Sequence, residues 1–124
     1  MATFLGAPRI NLIDRPASGA APAHQALWDV LTASAPALAQ RAALRPEHLT
    51  LAPLGQGIPA TVVLAEHLGD VSILYLRVEG VSELLNAKVA TAHQAQCAAG
   101  QTVGLAPDAS WALAFGADGR LISR

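Results

Sequence analysis

The residues of this 124-residue chain that offer metal or thiol chemistry are four histidines and one cysteine. His24, His48 and His67 are far from one another in the sequence, and only His93 and Cys97 stand four positions apart, where a helix would place both on one face. Structural zinc sites take four thiolate or imidazole ligands, typically in close-spaced pairs. Because one such pair is too few, we predict no metal site and no cofactor site.

Motifs for phosphate binding and nucleophilic catalysis are missing from the sequence. The stretch Gly55–Gly57 lacks the third glycine, the lysine and the following helix of a phosphate-binding loop. The Gly-x-Ser-x-Gly pattern of a nucleophile elbow does not occur. Carboxylates of the central region lie at Glu47, Glu66, Asp70, Glu79 and Glu83. No two of them show a spacing that indicates an acid–base pair, so we predict no catalytic residue and no enzyme activity.

Charge and apolar patterning narrow the possible partners. Eight basic and nine acidic residues are scattered without runs and give a net charge of -1. Nucleic-acid affinity rests largely on clustered Lys and Arg, so we predict no nucleic-acid partner. No apolar stretch approaches the ~20 residues that span a bilayer. A single cysteine and the lack of a secretory signal pattern favour a reducing, cytoplasmic location.

The elements that must position these residues are mostly β-strands. Pro and Gly residues at 53–59 divide the chain, and the part that follows alternates in the way that strands do. Strands are predicted at 60–67, 71–79, 84–90, 101–106 and 110–115. This cadence of short strands is typical of a small barrel or sandwich. We expect Phe4, Trp28, Tyr75, Trp111 and Phe115 to supply much of the core's bulk.

The N-terminal third is more ambiguous. Residues 11–13 and 41–45 are compatible with short strands. Between them, Leu27, Trp28 and Leu31 fall at helical spacing with a proline near the start, so the segment 20–35 is either a helix or a loop.

Four stretches, in order along the chain, carry a family resemblance. They are Phe4–Leu12 (FLGAPRINL), Leu44–Leu49 (LRPEHL), Val63–Asp70 (VLAEHLGD) and Gly100–Gly119. Together they resemble the C-terminal regulatory domain, the transport-associated OB or TOBE-type domain, of the ATP-binding subunits of ABC importers for sugars and glycerol 3-phosphate. Over residues 14–40 the resemblance is poor, and an Ala/Pro-rich segment stands where the family has further strand sequence.

The resemblance implies a fold and a set of partners. It implies one domain over residues 1–124, an OB-like small β-barrel or sandwich with its main β core at 58–122 and a divergent, short helical insert at 14–40. It also implies a regulatory and dimerisation role at the cytoplasmic side of the inner membrane. The implied partners are the nucleotide-binding domain of the parent ATPase, a membrane permease, a weakly bound second copy, and a small-molecule or protein regulator. Since the nucleotide-binding domain is missing from this chain, we expect an excised domain or a truncated reading frame.

The matching stretches also supply candidate structural or interface residues. They are Arg45, Pro46, Glu47, His48, Gly69 and Asp70. We expect Pro46 to end a strand, and Arg45 and Glu47 to pair with each other or with neighbouring strand ends. Gly69 is predicted to adopt positive φ in a turn that Asp70 caps. An alternative function is an OB-like module that binds a small metabolite or an oxyanion.

Overall fold

The computed structural model of the protein describes residues 10–33, 35, 38–52, 56–81, 83–90 and 99–123. The strands are β1 (Asn11–Asp14), β2 (Arg41–Leu44), β3 (Leu49–Ala52), β4 (Ile58–His67), β5 (Val71–Arg77), β6 (Leu85–Ala90), β7 (Thr102–Pro107), β8 (Leu113–Phe115) and β9 (Leu121–Ser123). One helix, α1 (Pro22–Leu31), and two 3-10 turns, Pro46–His48 and Ala109–Trp111, complete the elements used below.

These strands form two antiparallel sheets. One sheet has four strands in the order β1-β2-β8-β9, and the other has five in the order β3-β7-β4-β5-β6. Strand β7 pairs with both β3 and β4, so much of the ladder joins distant parts of the chain. The expectation of a mostly β, OB-like sandwich with a short helix is confirmed.

The core lies between the sheets and under the helix. Fully buried side chains from both sheets include Ile13, Leu44, Leu74 and Leu105. Buried and exposed positions alternate in the first half of β4. The pairing of β4 with β5 then has an irregularity between Val62 and Leu64. A bulge of this kind bends a strand and increases its twist, which helps a small sheet to wrap around its core.

Helix α1 resolves the ambiguity of the segment at 20–35. It begins with Pro22 in the first turn, where the missing N–H costs nothing. It ends at Leu31, and the Thr32 hydroxyl then donates to the Trp28 carbonyl at 2.7 Å. Its buried face includes Leu27 and Trp28, which join the core. The helical spacing of Leu27, Trp28 and Leu31 in the sequence is therefore that of an amphipathic helix packed against the core.

Several strand predictions are wrong at their ends; the strand predicted at 71–79, for example, ends at Arg77. The predicted strand at 110–115 begins only at Leu113, because Asp108 accepts hydrogen bonds from the backbone N–H of Ser110 at 3.2 Å and from its hydroxyl at 2.6 Å, which favours a 3-10 turn. The predicted strand at 41–45 ends at Leu44, before a second 3-10 turn. Strands β3 and β9 were not predicted.

Gly57, the described glycine of the Gly55–Gly57 stretch, has a packing role. Gly57 has a φ of 79°, and an added Cβ there would lie 2.5 Å from the Leu105 carbonyl oxygen. Close approach of two backbones, which only glycine permits, accounts for Gly57 without a bound phosphate.

Candidate functional site

The candidate residues Arg45, Pro46, Glu47 and His48 occupy the turn between β2 and β3. Arg45 is extended, with φ -71° and ψ 150°, as expected for a residue before proline. Pro46 is buried and begins the 3-10 turn, so the expectation that it ends the preceding strand is confirmed. The His48 N–H donates to the Arg45 carbonyl at 3.0 Å, which closes the turn.

An aromatic stack joins this turn to the second 3-10 turn. The rings of His48 and Trp111 lie 4.6 Å apart between centroids, with 7° between their planes. The Asp108 N–H donates to the His48 carbonyl at 2.9 Å, and the Trp111 N–H donates to the Asp108 carbonyl at 3.1 Å. Backbone and ring contacts therefore hold the two turns together, and we call this region the His48–Trp111 corner.

Asp108 is a charged group beside the corner. The hydroxyl of Ser110 donates to its carboxylate and lowers its pKa below the ordinary value, with further lowering by the Ser110 N–H and by the charge of His48. Desolvation raises the pKa of Asp108, but the lowering effects together exceed it. Asp108 is consequently an anion near neutral pH, and its carboxylate accepts two hydrogen bonds from Ser110.

The His48 imidazole has one polar atom without a partner. Its Nδ1 is buried and accepts or donates no hydrogen bond within the described residues. Such atoms are uncommon in folded proteins, because burial removes the water that would otherwise bind them. Stacking on Trp111 fixes the ring in this environment.

A groove of about 390 Å³ opens at the corner. Its polar and aromatic lining is Arg45, His48, Ser110 and Trp111, and its apolar lining is Ile10, Ala43, Leu113 and Leu121. Two of the apolar residues, Ala43 and Leu113, lie opposite each other in the β2–β8 pairing and so share one face of the four-stranded sheet. The groove thus combines a flat aromatic ring, a cation and an apolar floor.

The charged candidates beside the groove are not paired as expected. Arg45 and Glu47 are both exposed, and neither forms an ion pair in the described part of the chain. The predicted pairing of these two side chains is therefore not observed, because both extend from a tight turn into solvent. Their charges remain available for contacts with other molecules.

The remaining candidates, Gly69 and Asp70, lie elsewhere, in the turn between β4 and β5. Gly69 has a φ of 91°, which confirms the predicted positive φ. Asp70 is exposed and makes no hydrogen bond within the described residues, so the predicted cap is not observed. Instead, the Leu68 N–H closes the turn on the Val71 carbonyl at 2.9 Å. Neither residue lines the groove at the corner.

Two residues of the corner were missed or misread in the sequence. Trp111 was expected in the core, yet 55% of its surface is exposed, whereas Trp28 is 4% exposed. Asp108 was not among the predicted site residues. The signal that distinguishes Trp111 is local: it follows Asp108-Ala109-Ser110, a sequence that favours a capped turn and not a strand.

A second, larger groove lies on the same sheet face. It has a volume of about 670 Å³, and its lining includes Asp14, Arg15, Arg41 and Phe115. Its arginines are engaged: Arg41 pairs with Asp14 at 2.8 Å, and Arg15 donates to the Ala39 carbonyl at 2.9 Å while its guanidinium lies 5.2 Å from the centre of the Trp28 ring. These contacts explain both cations as structural.

The described ranges contain no group of three or more His, Cys, Asp or Glu side chains arranged to hold a metal ion. The His93–Cys97 pair lies outside the described residues. No described helix is both long and apolar enough to span a membrane.

Comparison with protein families gives a match. The model of the TOBE domain family matches residues 42–115, which include the six candidate residues of the two turns and also Asp108 and Trp111. No curated protein sequence matches the chain.

Proposed function

Because this chain belongs to the TOBE domain family, we propose that it is a regulatory and dimerisation domain of the ATP-binding subunit of an ABC importer for carbohydrate-type substrates. TOBE domains occur in ATP-binding subunits of ABC transporters. The family match over more than half of the chain is the observation that carries the proposal. The ordered stretches that resemble sugar and glycerol 3-phosphate importers support the narrower choice of transporter.

In this proposal the chain contributes contacts and not catalysis. ATP hydrolysis belongs to a nucleotide-binding domain, and transport belongs to a membrane permease on whose cytoplasmic side the assembly sits. The exposed side chains of Arg45 and Glu47 are suited to such contacts, since they lie outside the core and have no ion-pair partner in the described ranges. Trp and Arg are enriched at the energetic centres of protein interfaces, which supports the corner as the contact region.

Association with the transporter is tested directly with purified components. The nucleotide-binding domain and permease are taken from the genes that neighbour this reading frame, and the chain is mixed with each. We expect co-sedimentation with the nucleotide-binding domain and a change in its ATP hydrolysis rate. Absence of association with both partners, in a chain shown to be folded, would contradict the proposal.

Self-association is tested separately by sedimentation equilibrium of the chain alone. A weak dimer is expected, because family ATP-binding subunits gain much of their dimer contact from the nucleotide-binding domains. Arg45→Ala combined with Glu47→Ala should weaken whichever association is found. Arg77→Ala is the matched control, since Arg77 is an exposed arginine on β5, away from the corner.

A further inference from the structure

The groove at the His48–Trp111 corner also has features of a small-molecule site, beyond the partner contacts of the proposed function. Its volume of about 390 Å³ lies within the range of ~300–1,000 Å³ that is usual for small-molecule sites. One backbone hydrogen bond, from the Asp108 N–H to the His48 carbonyl, joins the two turns that form it, and a further backbone hydrogen bond closes each turn. A site on such a frame is largely formed before a ligand arrives, which lowers the entropic cost of binding.

Trp111 supplies a rigid aromatic surface. One face of its indole lies against His48 at 4.6 Å, while 55% of the residue is exposed to solvent. Because stacking on His48 already restrains the ring, a ligand that covers its exposed surface causes little further loss of side-chain entropy. An exposed Trp of this kind favours a planar or apolar ligand body, with Leu113 and Leu121 extending the apolar surface.

The positive charge of Arg45 in the groove favours a ligand that also carries an anionic group. Arg45 lines it and has no ion-pair partner in the described part of the chain, and the described lining includes no carboxylate. The nearby Asp108 carboxylate is occupied by the N–H and hydroxyl of Ser110. A guanidinium binds carboxylates and phosphates in a bidentate manner. A cationic ligand is disfavoured here because it would meet Arg45.

We propose that the groove between Arg45 and Trp111 binds a small organic anion, in which a carboxylate or phosphate group is joined to a planar or apolar body. Arg45 binds the anionic group, and Trp111 with the neighbouring leucines covers the body. Neither half suffices alone. An inorganic oxyanion gains nothing from Trp111, and a neutral aromatic compound gains nothing from Arg45.

The two tryptophans make the proposal testable by nuclear magnetic resonance of the whole chain. The indole N–H signals of Trp28 and Trp111 are assigned with Trp111→Phe and followed during titration with benzoate, phenyl phosphate, benzamide and inorganic phosphate at constant ionic strength. Benzoate and phenyl phosphate should shift the Trp111 signal saturably and leave the buried Trp28 signal in place. Which of the two binds more tightly identifies the preferred anionic group.

The control compounds and variants separate the two halves of the site. Benzamide should bind about tenfold more weakly than benzoate, the loss expected for one charge-assisted contact. Inorganic phosphate should bind about tenfold more weakly than phenyl phosphate, because it lacks the ring that would cover Trp111. Arg45→Gln should remove the preference of benzoate over benzamide. Arg77→Gln, which changes an exposed arginine on β5, should preserve that preference.

Several results would overturn the inference. They are a lack of saturation, equal shifts of both tryptophan signals, equal binding of benzoate and benzamide, and an unchanged preference in Arg45→Gln. A dispersed spectrum in each variant shows that the fold is intact. The ligand site and the transporter role are tested independently, because this titration uses no transporter component. A failed titration would contradict the ligand site and would leave the transporter role untouched.

Discussion

The side-chain amide of Asn11 pairs with the main chain of Asn86 as a neighbouring strand would. Its Nδ2 donates to the Asn86 carbonyl at 2.9 Å, and its Oδ1 accepts from the Asn86 N–H at 2.6 Å. Both residues are buried, and 75 positions of sequence separate them. Because Asn11 lies on β1 and Asn86 on β6, the amide joins an edge of the four-stranded sheet to an edge of the five-stranded sheet.

Replacing Asn11 should destabilise the fold strongly. Asn11→Ala leaves the buried N–H and carbonyl of Asn86 without these partners, and each such group costs ~1–3 kcal/mol. We expect the free energy of unfolding to fall by about 2–4 kcal/mol in urea denaturation. Leu12→Ala is the matched control, because Leu12 is 44% exposed on the same strand. If both variants lose the same stability, the amide does not join the sheets as described.

Glycine at position 104 should be equally intolerant of change. An added Cβ would lie 1.6 Å from the Gln56 carbonyl oxygen, so β7 or the chain at Gln56 must move. Gly104→Ala is expected to cost about 3 kcal/mol through this overpacking, measured as a fall in the free energy of unfolding.

Gly119→Ala provides the contrast for that measurement. Gly119 has a φ of 80° but nothing within 4 Å of an added Cβ, so its replacement costs only backbone strain, about 1 kcal/mol. A larger loss at Gly119 than at Gly104 would show that conformation, and not space, limits these positions.

The β core was predictable because its strands have local signatures. The β-branched and aromatic residues of β5 and a glycine turn before it are visible in the sequence, and the turn at Gly69 forms as expected. Strands β3 and β9 were not predictable in the same way. Each is only three or four residues long and gains its pairing from a strand that sequence reasoning does not place beside it: β3 pairs with β7, which begins 50 residues later.

The candidate site was predictable in one half only. The turn of Arg45 to His48 was found from its resemblance to a family stretch, with Pro46 as its physical marker. The other half, Asp108 and Trp111, was not found because aromatic residues are usually assigned to the core. Only the tertiary stack on His48 shows that an exposed indole has a partner.

The exposure of Trp111 predicts how the chain's fluorescence responds to a quencher. Trp111 is 55% exposed and Trp28 only 4%, so acrylamide should quench mainly Trp111. Trp111→Phe should reduce the quenching constant severalfold and shift the remaining emission to shorter wavelength, since Trp28 lies in the core. The reverse variant, Trp28→Phe, should retain strong quenching if it folds. Unchanged quenching in Trp111→Phe would place the indole inside the protein.

Tyr75, the only tyrosine in the sequence, allows its own titration to be observed by ultraviolet absorbance. Its hydroxyl donates to Glu66 Oε1 at 2.5 Å across β4 and β5. Burial, followed by this hydrogen bond and by the charge of Glu66, raises the pKa of Tyr75 from 10.0 to about 12. We therefore expect the phenolate absorbance to appear near pH 12 in the folded chain and near pH 10 in urea.

The same shift has a consequence for stability at alkaline pH. The raised pKa means that the folded state retains the proton longer, so the associated stabilisation is fully present below pH 10.0 and is lost as the pH rises to about 12. Tyr75→Phe should therefore show a smaller loss of stability over that interval. Glu66→Gln should bring the phenol titration part of the way back towards pH 10, because burial of the ring remains. A midpoint near pH 10 in the folded wild-type chain would mean that neither burial of the Tyr75 ring nor its hydrogen bond to Glu66 raises the pKa in solution.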